Sequence, residues 1–295
     1  MKKMLGLLFI TAGVIGLLAA VNGKSLFSFV TEPFHAEETV DAAEVNNIEI
    51  DVARTNVKVV KGSSSDIRVA LTGSVSPRLA NDIRLDVSLR GDTLEIGVDR
   101  ENGFSFGFSI VNVDLIVELP SKSWNGFTVD TGSGNINIEE VAASDIRIDG
   151  GSGNMNAERL TAERLEFELG SGNVKLLDST ADIIGKVSSG NIRIDGTALN
   201  KIDVQTGSGN IRIAADRLTG DVGVKTGSGN VNVDLSERPE SLAVKARTGS
   251  GDINVRWDNF TQTGSKGSTF EGAFGDGDIK LDVRTGSGNF TLGER

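Results

Sequence analysis

The chain of 295 residues has no cysteine and no tyrosine, a single histidine, four prolines and two tryptophans. Without cysteine there is no disulfide, no thiolate nucleophile, no cysteine-ligated metal and no lipid-modified N-terminal cysteine. The absence fits an extracytoplasmic bacterial protein that does not rely on oxidation. His35 is the only histidine, so a Ser-His-Asp triad has one possible base and a histidine-rich zinc site has none to build on. Positive charge is also short: 30 Lys and Arg stand against 41 Asp and Glu, a net charge of −11. That balance argues against nucleic acid or an anionic membrane surface as an electrostatic partner. With no Tyr and only Trp124 and Trp257, little aromatic surface is on offer for stacking on a sugar.

Glycine is abundant, at 37 residues, and it is placed in a repeat. Corners read Gly132-Ser-Gly134-Asn135, Gly151-Ser-Gly153-Asn154, Gly170-Ser-Gly172-Asn173, Ser188-Ser-Gly190-Asn191, Gly207-Ser-Gly209-Asn210 and Gly227-Ser-Gly229-Asn230. Later copies read Gly249-Ser-Gly251-Asp252, Gly275-Asp-Gly277-Asp278 and Gly286-Ser-Gly288-Asn289. Successive Asn or Asp positions lie 19, 19, 18, 19 and 20 residues apart, then 22, 26 and 11. A period near 20 with a glycine corner is the signature of stacked β coils.

Apolar residues alternate on both sides of each corner, as in Ile146/Ile148, Ile202/Val204 and Val222/Val224 before it and Ile136/Ile138, Ile192/Ile194 and Ile211/Ile213 after it. Spacing of two, rich in Ile and Val, predicts strands with one buried face, while Arg147, Asp149, Glu166, Glu168, Asp203, Gln205, Lys245 and Arg247 face water. Val204 and Ile211 are seven apart, so one unbroken strand would put them on opposite faces. The corner must redirect the chain. Gly accepts positive φ, and Asn accepts it better than most residues, which accounts for the corner composition. A parallel solenoid and an antiparallel meander with Gly-Ser hairpin turns both meet these demands. The constant period favours the solenoid, an all-β parallel β-helix of coils about 19 residues long. Its shared Asn position then forms a ladder along the stack. One coil cannot bury enough to offset its own ordering, so stability must be shared between neighbours.

Residues 1–23 hold Lys2 and Lys3 and then an uncharged apolar run from Leu5 to Val21. This is a secretory signal or a transmembrane anchor, and the poor cleavage site favours an uncleaved helix with a cytoplasmic N-terminus and the β region outside. Residues 24–45 read as an acidic linker around Glu37, Glu38 and Asp41. Residues 46–120 alternate, as in Ile48/Ile50 and Val57/Val59, without the corner, and read as an N-terminal β segment or capping coils; residues 121–295 form the repeat solenoid. Phe104, Phe106, Phe108 and Ile110 share one parity and Val111, Val113, Leu115 and Val117 the other, which predicts a bulge or turn between two core stripes.

Nine glycine corners in strand contexts do not make a phosphate loop, which needs a single strand–loop–helix setting. Asp252, Asp276 and Asp278 hint at calcium, but most corners carry neutral Asn, and calcium needs six to eight oxygens. Asp203 with Arg212, or Glu166 with Glu168, are candidates for polysaccharide chemistry by location alone. The reading is therefore of a chain that is not an enzyme, with no cofactor and no metal.

On its Asn-Ile-x-Ile repeats, basic-apolar N-terminus and acidic linker, the chain resembles the LiaG-like putative adhesins, bacterial proteins with a β-strand-repeat domain. The resemblance covers nearly the whole chain. It implies a β-helical fold, an N-terminal membrane anchor and a link to envelope-stress operons of Gram-positive bacteria, and it supplies no catalytic residues. The resulting expectation is a membrane-anchored, outward-facing solenoid that binds or scaffolds cell-envelope components, with a cell-wall or membrane-protein partner. The alternatives are an accessory protein of an envelope-stress sensor and a polysaccharide-active enzyme.

Overall fold

A computed structural model describes residues 31–77, 79–100, 111–257, 261–266 and 268–295. The apolar N-terminal segment and the Phe104–Ile110 stripe lie outside the described residues. Among those described, no helix is long and apolar enough to cross a membrane.

Two sheets, of twelve and thirteen strands, face each other across one core. The solenoid reading holds: eight of the nine repeats contribute one strand before the corner to the thirteen-stranded sheet and one after it to the twelve-stranded sheet, and coil stacks on coil in parallel. Named by their corner residue, the coils run as follows. The Asn135 coil comprises Ser123–Ser133 and Ile136–Glu139, the Asn154 coil Ala142–Ser152 and Met155–Glu158, and the Asn173 coil Thr161–Ser171 and Val174–Leu177. The Asn191 coil comprises Thr180–Ser189 and Ile192–Leu199, the Asn210 coil Ile202–Ser208 and Ile211–Leu218, and the Asn230 coil Val222–Ser228 and Val231–Leu235. The Asp252 coil comprises Leu242–Ser250 and Ile253–Val255, and the Asn289 coil Ile279–Ser287 and Phe290–Glu294. Val204 pairs in register with Gly185 and Val224, and Ile211 with Ile192 and Val231, which removes the meander.

Alternation does the packing. In the Asn154 coil, Ile146 and Ile148 enter the core from one sheet and Met155 and Ala157 from the other, all at most 2% exposed. Stacking identical coils turns these pairs into continuous apolar columns, so each coil completes the burial of the next.

Two sequence expectations need correction, and a third feature was not anticipated. First, the segment read as a linker contains the strand Glu32–Asp41, paired antiparallel with Asp66–Val75. Its charge hid a period of two: Phe34, Ala36 and Val40 pack against the core. Second, Gly275-Asp276-Gly277-Asp278 is not a coil corner. It is the turn between Thr269–Phe274 and Ile279–Ser287, with both glycines at positive φ. Third, sequence order is not stacking order at the C-terminal end, because the Asn289 coil sits between the Asn230 and Asp252 coils.

The segment before the repeats holds a further coil. Asn47–Val52 and Asn56–Lys61 pair in parallel with the Asn135 coil. Beyond it, Val111–Leu119, Asp66–Val75 and Glu32–Asp41 finish the twelve-stranded sheet, and the hairpin Ile83–Arg90/Thr93–Arg100 finishes the other. At the far end, Thr269–Phe274 and Thr261–Lys266 add an antiparallel hairpin against Leu242–Ser250. These antiparallel ends cap the parallel stack.

Candidate functional site

The corners of the coils form a hydrogen-bonded spine. The Asn154 backbone N–H donates to Asn135 Oδ1 at 3.0 Å, Asn173 to Asn154 at 3.0 Å, Asn191 to Asn173 at 3.0 Å and Asn210 to Asn191 at 2.8 Å. The series continues through Asn230, Asn289 and Asp252. It begins at Asn56, which accepts from the Asn135 N–H at 2.9 Å. Sequence reasoning missed Asn56, although Asn56-Val57-Lys58-Val59 carries the same Asn-apolar-x-apolar signal as Asn135-Ile136-Asn137-Ile138. Asparagine is selected here for its amide and not for positive φ, which none of the ladder asparagines adopts. Asp252 stands at the end of the ladder, where it donates its N–H and no further coil follows.

A second, buried ladder also escaped the sequence reading. Thr206, Thr226, Thr248 and Thr285 donate Oγ1–H to the corner carbonyls of Gly190, Gly209, Gly288 and Gly229 at 2.9–3.1 Å. Thr131 occupies the same register position, buried, with Oγ1 unpartnered. The legible signal was Thr before Gly-Ser-Gly in five corners.

Glycine has different reasons at the two corner positions. At Gly153 φ is +130°, and a Cβ would lie 2.0 Å from the Gly134 carbonyl oxygen. At Gly151 φ is ordinary and the Cβ would crowd Gly132 O at 2.4 Å. Ser188 fills that first position in the Asn191 coil, so the stack yields there and not at the second glycine.

The widest regular surface is the outer face of the thirteen-stranded sheet. In register across the coils, one row reads Asp51, Asp130, Asp149, Glu168, then Lys186, Gln205, Lys225, Arg284, Arg247. Acids fill one half of the row and bases dominate the other. The adjacent row reads Glu49, Thr128, Arg147, Glu166, Ile184, Asp203, Gly223, Asp282, Lys245. Residues about 19 apart become neighbours about 4.8 Å apart, so a polarity spread over 200 residues of chain converges on one face.

Crowding of acids leaves its mark. Partial burial and the charges of Asp51 and Asp149 push the Asp130 carboxyl up, opposed by Arg147. The Glu168 carboxyl is held down by its hydrogen bond from Lys186, at 2.7 Å. At the acidic end, Glu49, Asp51, Asp86, Glu95 and Asp99 line an open groove of about 520 Å³, together with Arg90, which pairs with Glu95 at 3.1 Å. Ile184, 36% exposed, is one of two large apolar side chains exposed among the described residues, and it lies at the sign change.

The other candidate residues are dispersed. Asp203 lies on the thirteen-stranded sheet and Arg212 on the twelve-stranded one, where Arg212 pairs with Asp234 at 2.9 Å. Glu166 accepts from Arg164 and Glu168 from Lys186. His35 sits on the edge strand, 3.3 Å from Glu37. Among the described residues, no group of three or more His, Asp or Glu is placed to hold a metal ion.

Among curated proteins, none matches this chain. Solved structures do. A putative adhesin from Bacteroides fragilis aligns over 88% of this chain and 96% of its own at 17% identity, with a TM-score of 0.51. A putative lipid binding protein from Parabacteroides distasonis covers 87% and 96% at 16% identity, TM-score 0.48. A putative adhesin from the same organism covers 88% and 97% at 16% identity, TM-score 0.44. The likeness to the first is one of fold. A family model spans residues 45–293, from the first coil to the last, and by that match the chain belongs to the Toastrack DUF4097 family.

Proposed function

We propose that this chain is a membrane-anchored, outward-facing, non-catalytic β-solenoid that binds or scaffolds components of the cell envelope. The observation that carries this reading is the outer face of the thirteen-stranded sheet, a rigid surface that repeats side chains in register across coil after coil. Repetition at fixed spacing suits a repetitive or extended partner, because each coil offers an equivalent set of contacts. The apolar run Leu5–Val21, flanked by Lys2 and Lys3, supplies the anchor in this reading. The test is saturable binding of the purified full-length protein to isolated envelope fragments, with protease treatment of intact cells alongside. Binding together with loss of the β region from intact cells supports the reading. A β region protected until lysis defeats it.

A second reading is an accessory protein that docks on a neighbouring membrane protein. It is favoured by the acidic groove around Asp51 and Glu95, at the end of the stack that carries the N-terminal strand Glu32–Asp41. Crosslinking in cells separates the two readings: a membrane-protein adduct supports docking, and a glycan adduct alone supports the first.

A further inference from the structure

We infer that the outer face of the thirteen-stranded sheet pairs with the same face of a second copy, through a two-fold axis parallel to the strands, so that self-pairing and the envelope binding proposed for this face exclude each other. The axis passes between Thr161–Ser171 and Thr180–Ser189. That line is where the charged row changes sign, between Glu168 and Lys186. It is also the middle of the sheet, with six strands on one side and seven on the other.

Rotation about this axis keeps each row opposite itself and reverses its order. Lys186 of the second copy then faces Glu168, Lys225 faces Asp130 and Arg284 faces Asp51. In the adjacent row Asp203 faces Arg147. Each match occurs twice by symmetry. One like-charge meeting results, Glu49 with Asp282, and Arg284 already neutralises Asp282 through two bonds of 3.1 Å. A two-fold axis laid along the charged row would instead set each strand's charge against itself, acid on acid in one half and base on base in the other. Asp130 and Lys225 form no ion pair among the described residues, so that match breaks nothing within a copy, whereas Lys186, Arg284 and Arg147 already bond Glu168, Asp282 and Asp149 and share themselves with the second copy. Ile184 of each copy falls one half-strand from the axis, so it faces Glu166 of the second copy and lies diagonally beside that copy's Ile184 at the centre.

The overlap is of ordinary size. Twelve strands at ~4.8 Å and about five residues of width give roughly 900 Å² per copy, against ~800 Å² per partner in a standard interface. Charge matching of this kind governs specificity and encounter more than affinity, so the dimer is salt-sensitive.

The test uses full-length protein in mild detergent, by sedimentation at low and high salt, and does not require any envelope ligand. Asp130→Lys alone and Lys225→Asp alone each put like charges opposite one another and weaken the dimer by about tenfold or more, while the double exchange restores it to within about threefold. Both positions are exposed, and each new charge lands among opposite charges within its own copy, so folding is preserved. Since the chain has no cysteine, Ile184→Cys adds a unique thiol that a short bismaleimide crosslinks between copies. Lys225→Cys, about five strands or ~24 Å from its symmetry mate, does not crosslink. A monomer at every concentration in low salt, or a double exchange as weak as the singles, overturns the inference.

Discussion

Asn289 accepts the backbone N–H of Asp252 at 2.8 Å, although Asp252 precedes it by 37 residues. The Asn289 coil is thus wedged into the stack, with Val283 in register between Val224 and Ala246. Val283 is fully buried. Val283→Asp should therefore detach Leu242–Val255 as well as its own coil, because an uncompensated charge in this column costs several kcal/mol. Hydrogen exchange checks this: loss of protection confined to residues 279–294 would show that the two coils are not coupled.

The two corner glycines should differ in their tolerance. Gly153→Ala combines φ +130° with a 2.0 Å contact to backbone and should cost roughly 2–4 kcal/mol. Gly151→Ser should cost clearly less, since Ser188 already occupies that position one coil along. Equal losses in denaturant unfolding would refute the distinction.

The asparagine spine should contribute in small equal steps. Asn173→Ala leaves the Asn191 N–H without its acceptor and should cost about 1 kcal/mol, because the site is open to water. Ile211→Asp, in the fully buried column, should instead lower the thermal midpoint of the whole stack. Melting curves for the pair test whether the spine or the core dominates; an unchanged midpoint for Ile211→Asp rejects the latter.

Acid should loosen the N-terminal edge strand before the coils. Arg68 holds Glu37 with two hydrogen bonds of 2.7 and 2.8 Å and Glu118 with a third of 2.7 Å, tying three strands together. The hydrogen bond from Arg68 depresses the Glu37 carboxyl below its ordinary 4.5. A depressed folded pKa gives stability that is present above 4.5 and lost as pH falls through the lower folded value. Burial pushes Glu38 the other way, so its protonation on acidification opposes the loss. Exchange protection of Glu32–Asp41 should hold down to about pH 4.5 and then fall, with Glu37→Gln flattening the dependence. Protection as steep in Glu37→Gln as in the unaltered chain would remove Glu37 from the explanation.

Much of the architecture was legible because it is periodic. The parity conflict between Val204 and Ile211 required a corner, and the even spacing of Asn135 to Asn230 favoured stacking over a meander. What stayed hidden depends on register between distant segments. The polarity from Asp51 to Arg247 appears only when residues about 19 apart are set side by side, and in one dimension each charge looks like an ordinary solvated neighbour. The edge strand was concealed because Glu37 and Glu38 gave the look of a linker, while Arg68, which holds Glu37 and also bonds Glu118, lies far along the chain. The wedged Asn289 coil left a trace, in the irregular spacings of 22, 26 and 11, that did not by itself say which coil had moved.

The two margins of the stack are not equivalent as places to add sequence. Along the asparagine margin the chain crosses between sheets in the same few residues at every coil. Between one coil and the next, the excursions leave from the opposite margin: residues 62–122 after Asn56–Lys61, residues 236–241 after Val231–Leu235 and residues 256–278 after Ile253–Val255. Where that margin is tight, Glu140, Arg159 and Asp178 take left-handed φ of 57°, 54° and 45° to make the turn. A foreign loop or reporter domain grafted beside Arg159 or Asp178 would hang from a margin that already carries grafts, and would relieve that backbone strain. The same graft at Ser152 would part the coils. Across its stacked coils, the fold is a rack loaded from one side.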